Sequence, residues 1–294
     1  MLPRWFSMTF NLFYKDELHV HIGSQSIELW RLKSVIGFKP QLLQHEVIKL
    51  SDVAHSPDDW HGVLGQLQTL LKDNKWQAPT ATVTLSSHFM RYAVIPWNSE
   101  ITTSEEQQSY LKHRFTMGYG DAVKSWNMRM DAPKYKKAAL ASAMPDGLQV
   151  ALSDTLAQAN SRLDALYPYL MQAANHVFET KNFTGDCWLA VVENQRLGLS
   201  LIEDGEWQVV RNLPLEVDVA VQIETLIQRE TMLENVSIHT SESRKRYQVL
   251  IHWPSSGELK SIEIQHRRVV GVVCNQHLAS RPASAQQSMD WATR

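Results

Sequence analysis

The sequence predicts an α/β protein that consists of two similar halves. The order strand–strand–strand–helix–strand occurs twice, first from about residue 17 and again from about residue 187. The predicted strands alternate apolar and polar residues, and the predicted helices repeat apolar residues at three- and four-residue spacing. A chain of 294 residues is long enough for two such halves.

The first series begins with a hairpin. Leucine, valine and isoleucine alternate with histidines in LHVHI at 18–22, and Gly23-Ser24 forms a tight turn into a returning strand. Serine before proline, followed by two acids, predicts a helix that starts at Ser56. The elements of this series are strands at 18–22, 27–31 and 44–50, the helix from Ser56, and a strand at 80–85.

The second series repeats this order, with Asp204-Gly205 as a hairpin turn signal. Its elements are strands at 188–192, 197–202 and 206–211, a helix at 217–233, and strands at 236–239 and 249–252. Between the two series we expect further elements. These are a strand ending at Pro96, a capped helix from Thr103 or Ser104, strands at 126–130 and 138–143, and helices at 148–163 and 169–178.

These patterns predict a division into three parts. A first lobe spans 1–166 and carries an insertion at about 88–147, a second lobe spans 167–278, and 279–294 is a disordered tail. The net charge of −2 provides no general attraction for nucleic acid. No apolar run reaches the roughly 18 residues of a membrane span, so we expect a cytoplasmic protein. Cys187 and Cys274 lie in apolar runs and are expected to be buried free thiols.

Three segments in order resemble the actin-like (PilM-type) protein of type IV pilus assembly. They are VHIGSQSIELWRL, VTLSSHFMRYAVIPW before an acidic-capped helix, and WLAVVENQRLGLSLIEDGEWQVVRNLPL. The first is similar to the family's phosphate hairpin, V-D-I-G-S-S-S-I-K-L-V-E-L. The matching positions are Val20, Ile22, Gly23, Ser24, Ser26, Ile27, Leu29 and Leu32. The same features resemble the cytoplasmic part of the L-type protein of type II secretion and a protein of mannose-sensitive pilus assembly.

The resemblance implies an actin-like ATPase fold, with duplicated ribonuclease-H-like lobes around a cleft and an inserted subdomain in the first lobe. It also implies partners: the cytoplasmic segment of an inner-membrane pilus or secretion platform protein, the assembly ATPase, and a second copy of the chain. The protein would then be peripheral to the inner membrane through its partner.

Departures from the family's pattern fall on the phosphate hairpin, whose five candidate residues are His21, Gly23, Ser24, Ser26 and Glu28. His21 replaces the family's aspartate and Glu28 its lysine. Magnesium prefers oxygen ligands, which imidazole does not provide. A glutamate about 5 Å from a phosphate charge costs about 3 kcal/mol at an effective dielectric of 20, which weakens binding roughly a hundredfold. In the second hairpin, the expected aspartate falls near Val192 or Glu193, and Asn194 replaces the glycine.

The sequence offers little support for a metal site, a hydrolase site or a Walker-type nucleotide site. His19 and His21 lie on one face of a strand, and a zinc site with His45, His55 or His61 would need a closed ligand set that the spacing lacks. No GxSxG elbow or Walker A motif is present. We therefore expect no catalytic residues, no metal, no cofactor and no nucleic-acid partner.

The insertion contains more aromatic residues than a small subdomain needs for its own core. The five that we assign to a candidate interface are Trp97, Tyr110, Phe115, Tyr119 and Trp126, and internal packing is the alternative. The sequence thus favours a catalytically inactive actin-like scaffold of a pilus or secretion platform. The alternatives are an ATP-binding, Mg-dependent member of the same machinery that cycles on nucleotide, and a metal- or sugar-handling enzyme of the same superfamily.

Overall fold

The structure is a computed structural model that describes residues 14–35, 40–51, 54, 56–131, 135–181, 185–233, 247–253 and 269–272. The predicted tail, the predicted strand at 236–239, His55 and Cys274 lie outside these residues. Two compact units divide the described chain. One contains the described part of Met1–Phe89 together with Pro145–Pro168, and the other contains Met90–Met144 and the described residues from Tyr169 onward.

The first unit is built on a five-stranded sheet in the order β3-β2-β1-β4-β8. Its strands are β1 (Tyr14–Ile22), β2 (Ser26–Val35), β3 (Gln41–Lys49), β4 (Thr80–Leu85) and β8 (Arg162–Pro168). The first three strands are antiparallel, and β4 and β8 continue the sheet in parallel with β1. Two helices complete the unit, α1 (Trp60–Leu70) and α3 (Leu148–Gln158), and they contact each other.

The second unit contains a sheet of the same order, β11-β10-β9-β12-β13. Its strands are β9 (Cys187–Glu193), β10 (Arg196–Glu203), β11 (Glu206–Pro214), β12 (Gln248–His252) and β13 (Val269–Val272). Again three antiparallel strands are followed by two parallel ones. The repeated topology predicted from the order of elements is therefore confirmed.

Two helices accompany this second sheet, α4 (Tyr169–Lys181) and α5 (Val219–Leu233). α5 packs against one face of the sheet, because its apolar residues and alternate residues of the strands belong to one buried cluster. Members of this cluster include Trp188, Ala190, Val192, Leu197, Leu199, Ile223, Ile227, Val249 and Ile251. A fully buried side chain of this type contributes roughly 1.5–3 kcal/mol to folding, so this cluster is a main source of the unit's stability.

The inserted segment forms a three-stranded sheet in the order β5-β7-β6, with helix α2 beside it. Its elements are β5 (Arg91–Ile95), α2 (Ser104–Tyr119), β6 (Trp126–Met130) and β7 (Ala139–Pro145). The sequence predicted that this segment is an insertion in the first lobe. In the structure it instead belongs to the unit that contains the second sheet. The reason is local contact: β5 lies beside β11, and the Asn212 side-chain amide donates to the Met90 carbonyl at 3.1 Å.

Two predicted elements differ from the structure. α1 begins at Trp60 rather than Ser56, because residues 56–59 form a turn in which the Ser56 amide donates to the Asp59 carboxylate at 2.7 Å. The helix predicted over 148–163 ends at Gln158. The chain then enters β8, which the sequence pattern missed, and pairs with β4.

Candidate functional site

The backbone of the β1–β2 turn is tightly folded. The Gly23 amide donates to the Ser26 carbonyl at 2.9 Å. A Cβ atom at Gly23 would lie only 3.0 Å from that carbonyl oxygen, so a larger residue there would push the turn apart by a few tenths of an ångström. Because this amide is used inside the turn, it is not available to an anion, contrary to what a phosphate-binding turn needs.

Neighbouring strand ends hold this turn in place. The Ser24 carbonyl accepts from the Ala54 amide at 2.9 Å, and the Gln25 carbonyl accepts from the Leu50 amide at 2.8 Å. Ser24 is itself buried. The hairpin is therefore an integral part of the sheet.

His21 lies directly opposite Glu28 in the hairpin. Its side chain is half-buried, and burial lowers the pKa of His21 to about 4. The imidazole is therefore neutral at pH 7. A neutral imidazole supplies neither the negative oxygen that organises magnesium nor a positive charge for phosphate.

Glu28 is engaged by the neighbouring strand. Its Oε1 atom lies 2.7 Å from His45 Nε2 on β3, and the His45 ring stacks on Trp30 with 5.4 Å between ring centroids. This pairing joins β2 to β3. No local pattern predicts this contact, because His45 and Glu28 become neighbours only through strand pairing.

Among the residues that the structure describes, the other histidines near the hairpin are not grouped as metal ligands. His19 Nε2 lies 3.5 Å from Glu17 Oε1, and Glu17 also accepts from the Thr82 hydroxyl at 3.0 Å. Within the described ranges, no group of three or more histidine, cysteine, aspartate or glutamate side chains is placed to hold a metal ion.

The second hairpin, between β9 and β10, does not offer a carboxylate in the manner of a phosphate site either. Val192 belongs to the buried cluster beneath α5, and Glu193 is buried at the end of β9. The turn itself runs through Asn194 and Gln195, the latter with a positive φ of 56°. Arg196 begins β10 and is fixed by hydrogen bonds to Asn212, while burial and the Arg91 cation lower the pKa of Arg196.

Four of the five aromatic residues assigned to an interface take part in the packing of the inserted segment. Phe115 is fully buried in its core, and Tyr110 and Trp126 pack against the same cluster. Tyr119 stacks on Phe115 with 5.9 Å between ring centroids and donates from its hydroxyl to the Tyr92 carbonyl at 3.2 Å. Trp97 and Tyr110 also line a cavity. Internal packing therefore involves most of the set that the sequence assigned to an interface.

The cavity lies within the inserted segment and has a volume of about 180 Å³. We call it the insertion cavity. It is lined by Ile95, Pro96, Trp97, Asn98, Ile101, Gln107, Tyr110, Met130, Tyr135, Lys137 and Ala139. Met130 and Tyr135 have no local signal in the sequence, because they come near Trp97 only when β6 and β7 pair in one sheet.

Comparisons with known proteins now place the fold. A scan against known protein families gives no match, and a search of curated protein sequences also finds none. Solved structures do match. The PilM–PilN type IV pilus biogenesis complex matches with a TM-score of 0.55 at 12% identity, over 86% of this chain and 88% of that chain.

Two further solved structures are also similar to this chain. The cytoplasmic domain of EpsL, an inner-membrane component of the type II secretion system of Vibrio cholerae, matches with a TM-score of 0.52 at 8% identity, over 87% of this chain and 90% of that chain. A Bacteroides thetaiotaomicron protein with an actin-like ATPase fold and unknown function matches with a TM-score of 0.53 at 10% identity, over 89% and 93%. The chain thus has the actin-like ATPase fold, and the predicted resemblance is confirmed at the level of fold.

The helices of the described chain are also informative about membranes. None of them combines the length and the apolar character that a membrane crossing demands.

Proposed function

We propose that this chain is a catalytically inactive actin-like scaffold of a type IV pilus or type II secretion-like assembly platform. The observation that carries the proposal is the first hairpin, where the neutral His21 and the His45-bound Glu28 occupy the positions of the expected aspartate and lysine. The fold is kept, while the charges that bind Mg-ATP are replaced.

Electrostatics supports the loss of nucleotide binding. A carboxylate at Glu28 repels phosphate by about 3 kcal/mol at about 5 Å and an effective dielectric of 20. Its pairing with His45 reduces this repulsion but creates no cation of the kind a lysine supplies. The Gly23 amide, a remaining donor, is already used by the Ser26 carbonyl.

The partner in this proposal is the cytoplasmic segment of an inner-membrane platform protein, which would hold the chain at the membrane. Support comes from the names of two structures of the same fold: one is PilM in complex with PilN, and the other is the cytoplasmic domain of an inner-membrane secretion component. The assembly ATPase and a second copy of the chain are the further partners that this role suggests.

Calorimetry with Mg-ATP tests the inactive hairpin. We expect no binding tighter than about 1 mM, which corresponds to about 4 kcal/mol of binding free energy, and no hydrolysis above background. Micromolar binding would show that other residues supply the missing charges, and would establish the nucleotide-cycling alternative.

A pull-down tests the scaffold role. The purified chain is mixed with the cytoplasmic segment of an inner-membrane pilus or secretion platform protein from the same organism. We expect capture of this segment without added nucleotide. Failure to capture it, in the presence and absence of Mg-ATP, would contradict the proposed role.

A further inference from the structure

The insertion cavity has the size of one side chain. Its volume is about 180 Å³, and an apolar protein cavity of about 150 Å³ is known to hold one benzene molecule. The cavity floor continues the core of the inserted segment, because Ile95 and Ala139 are both buried. A leucine or phenylalanine side chain that enters would therefore exchange water for apolar contact.

Exposed aromatic rings form the walls of this cavity. The rings of Trp97 and Tyr135 meet edge-on with 5.4 Å between their centroids. Tyr135 is 76% exposed and therefore largely in contact with water, whereas Trp97 is 37% exposed and presents about a third of its surface. Rigid aromatic rings around a small pocket are typical of the anchoring points at protein–protein contacts.

Lys137 lines the cavity, and its neighbour Lys136 lies beside the Tyr135 ring that forms one wall. Lys137 forms an ion pair with Glu206 at 2.6 Å, so its charge is compensated. Lys136 is exposed, and its ammonium group lies 5.2 Å from the centre of the Tyr135 ring. A cation in this place attracts an anionic group that arrives beside the aromatic walls.

We propose that the insertion cavity binds one leucine- or phenylalanine-sized side chain of an extended protein segment, and that Lys136 selects a segment with an acidic residue next to this anchor. The charge of Lys136 is the reason for an acidic rather than a basic neighbour. The proposal rests on the proposed scaffold function, since it describes the site where the platform partner docks.

Nuclear magnetic resonance with labelled isoleucine and methionine methyl groups tests the site directly. The probes are N-acetyl-Phe-Asp-amide and its charge-reversed counterpart N-acetyl-Phe-Lys-amide. We expect the acidic probe to shift the methyl signals of Ile101 and Met130. It should bind about two- to fivefold more tightly than the basic probe, as expected for one exposed ion pair.

Two substitutions sharpen the test. Lys136→Glu should reverse the order of the two probes, and Tyr135→Ala should weaken both about tenfold. Both side chains are exposed, so the fold should be retained, which the dispersion of the methyl signals will show. Lys112→Glu and Met117→Ala are the matched controls, because both residues are exposed on α2 and neither lines the cavity; they should leave binding unchanged.

The proposal is overturned if neither probe shifts these methyl signals, if both bind equally, or if Lys136→Glu leaves their order unchanged. The same variants in the pull-down separate the two proposals. If Lys136→Glu with Tyr135→Ala captures the partner segment as the unmodified chain does, the docking site is wrong and the scaffold role stands. If the probes bind but no chain captures the segment, the scaffold role is wrong and the binding site stands.

Discussion

The surroundings of the Cys187 thiol determine its chemistry. The side chain is fully buried at the start of β9, and burial together with the charge of Asp186 raises the pKa of Cys187 to about 12. Because the thiolate is the reactive form, we expect no alkylation of Cys187 by iodoacetamide at pH 8 in the folded protein and rapid alkylation in urea. Peptide mapping by mass spectrometry separates this residue from Cys274. Labelling of Cys187 in the native protein would show that β9 is accessible.

The hairpin residues His21 and Glu28 should differ in what they contribute to stability. Glu28→Lys removes a pair whose two side chains are 29% and 37% exposed, so the loss should be within about 1 kcal/mol. His21→Asp places a charge where burial already disfavours charge, and should cost more, on the order of 1–3 kcal/mol.

Urea unfolding of both single variants and of the double variant measures this difference. The double variant should remain folded, because both side chains are only half-buried. A larger loss from Glu28→Lys than from His21→Asp would mean that the Glu28–His45 pair is structural.

At the scale of elements, the start of α2 depends on a capping box. The Thr103 hydroxyl accepts from the Glu106 amide at 3.2 Å, and the Glu106 carboxylate accepts from the Thr103 amide at 3.0 Å. These backbone hydrogen bonds, from Thr102 and Thr103, lower the pKa of Glu106. Thr103→Ala should destabilise the helix by about 1 kcal/mol and accelerate hydrogen exchange at its first turn.

Thr116→Ala provides the control for this change. Thr116 lies near the other end of the same helix, and its hydroxyl donates only to the Lys112 carbonyl. We expect little effect on exchange at the first turn. Equal acceleration by both substitutions would mean that the cap does not hold the start of the helix.

The ion pair between β11 and α5 is a second test at this scale. Arg211 Nε donates to Glu230 Oε1 at 2.8 Å, and a second guanidinium nitrogen donates to Oε2. The Glu230 side chain is only 2% exposed. The Arg211 side chain is 43% exposed, so water screens part of the interaction. Arg211→Leu alone should therefore cost about 1–3 kcal/mol, the cost of leaving a buried hydrogen-bonding group without its partner.

The double variant Arg211→Leu with Glu230→Leu should recover part of this loss, since it also removes the buried carboxylate that the single change leaves without its partner. Urea unfolding of the three proteins forms the comparison. No recovery in the double variant would indicate that packing around Arg211, rather than charge, stabilises the contact.

For the whole molecule, buried histidines should make stability depend on pH. Burial, with a smaller effect of His176, lowers the pKa of His252 to about 3, and its Nε2 atom lies 2.9 Å from the Tyr169 hydroxyl. The pKa of His21 is lowered to about 4. Both folded-state values lie below the ordinary histidine value of about 6.5, so the unfolded chain binds more protons as the pH falls.

The contribution of these two histidines to the free energy of unfolding should therefore be fully present above pH 6.5. Below pH 6.5 the free energy of unfolding should decline, by up to about 1.4 kcal/mol per pH unit for each histidine. Carboxylates with lowered pKa values add to the decline near pH 4, so the histidine contribution needs a matched variant. His252→Gln keeps a polar partner for Tyr169 and does not titrate. Urea unfolding at pH 7, 6 and 5 should show a shallower decline for this variant; identical slopes would exclude His252 as a source.

Much of this architecture follows from local sequence patterns. Alternation and turn residues located β1, β2, β9, β10 and β11, because a half-buried strand imposes a period of two. The sequence pattern did not predict β8, because Arg162–Pro168 follows closely after α3 and only part of the strand is buried. Its strand conformation comes from parallel pairing with β4. The start of α1 was displaced because a side-chain hydrogen bond of Asp59 stabilises a turn at Ser56.

The sequence by itself determined the duplicated topology and placed His21 and Glu28 where the resembling family has an aspartate and a lysine. Both conclusions depend only on residue type and on the order of local patterns. Only the tertiary structure decided which side chains meet. In the structure, Glu28 pairs with His45, the Gly23 amide donates to the Ser26 carbonyl of its own turn, and the Trp97 ring contacts the Tyr135 ring. The Glu28–His45 and Trp97–Tyr135 contacts join residues far apart in the chain, and they form only after strand pairing has fixed the register, which local patterns do not contain. The Gly23 contact is local, but residue type alone does not show that its amide is used inside the turn.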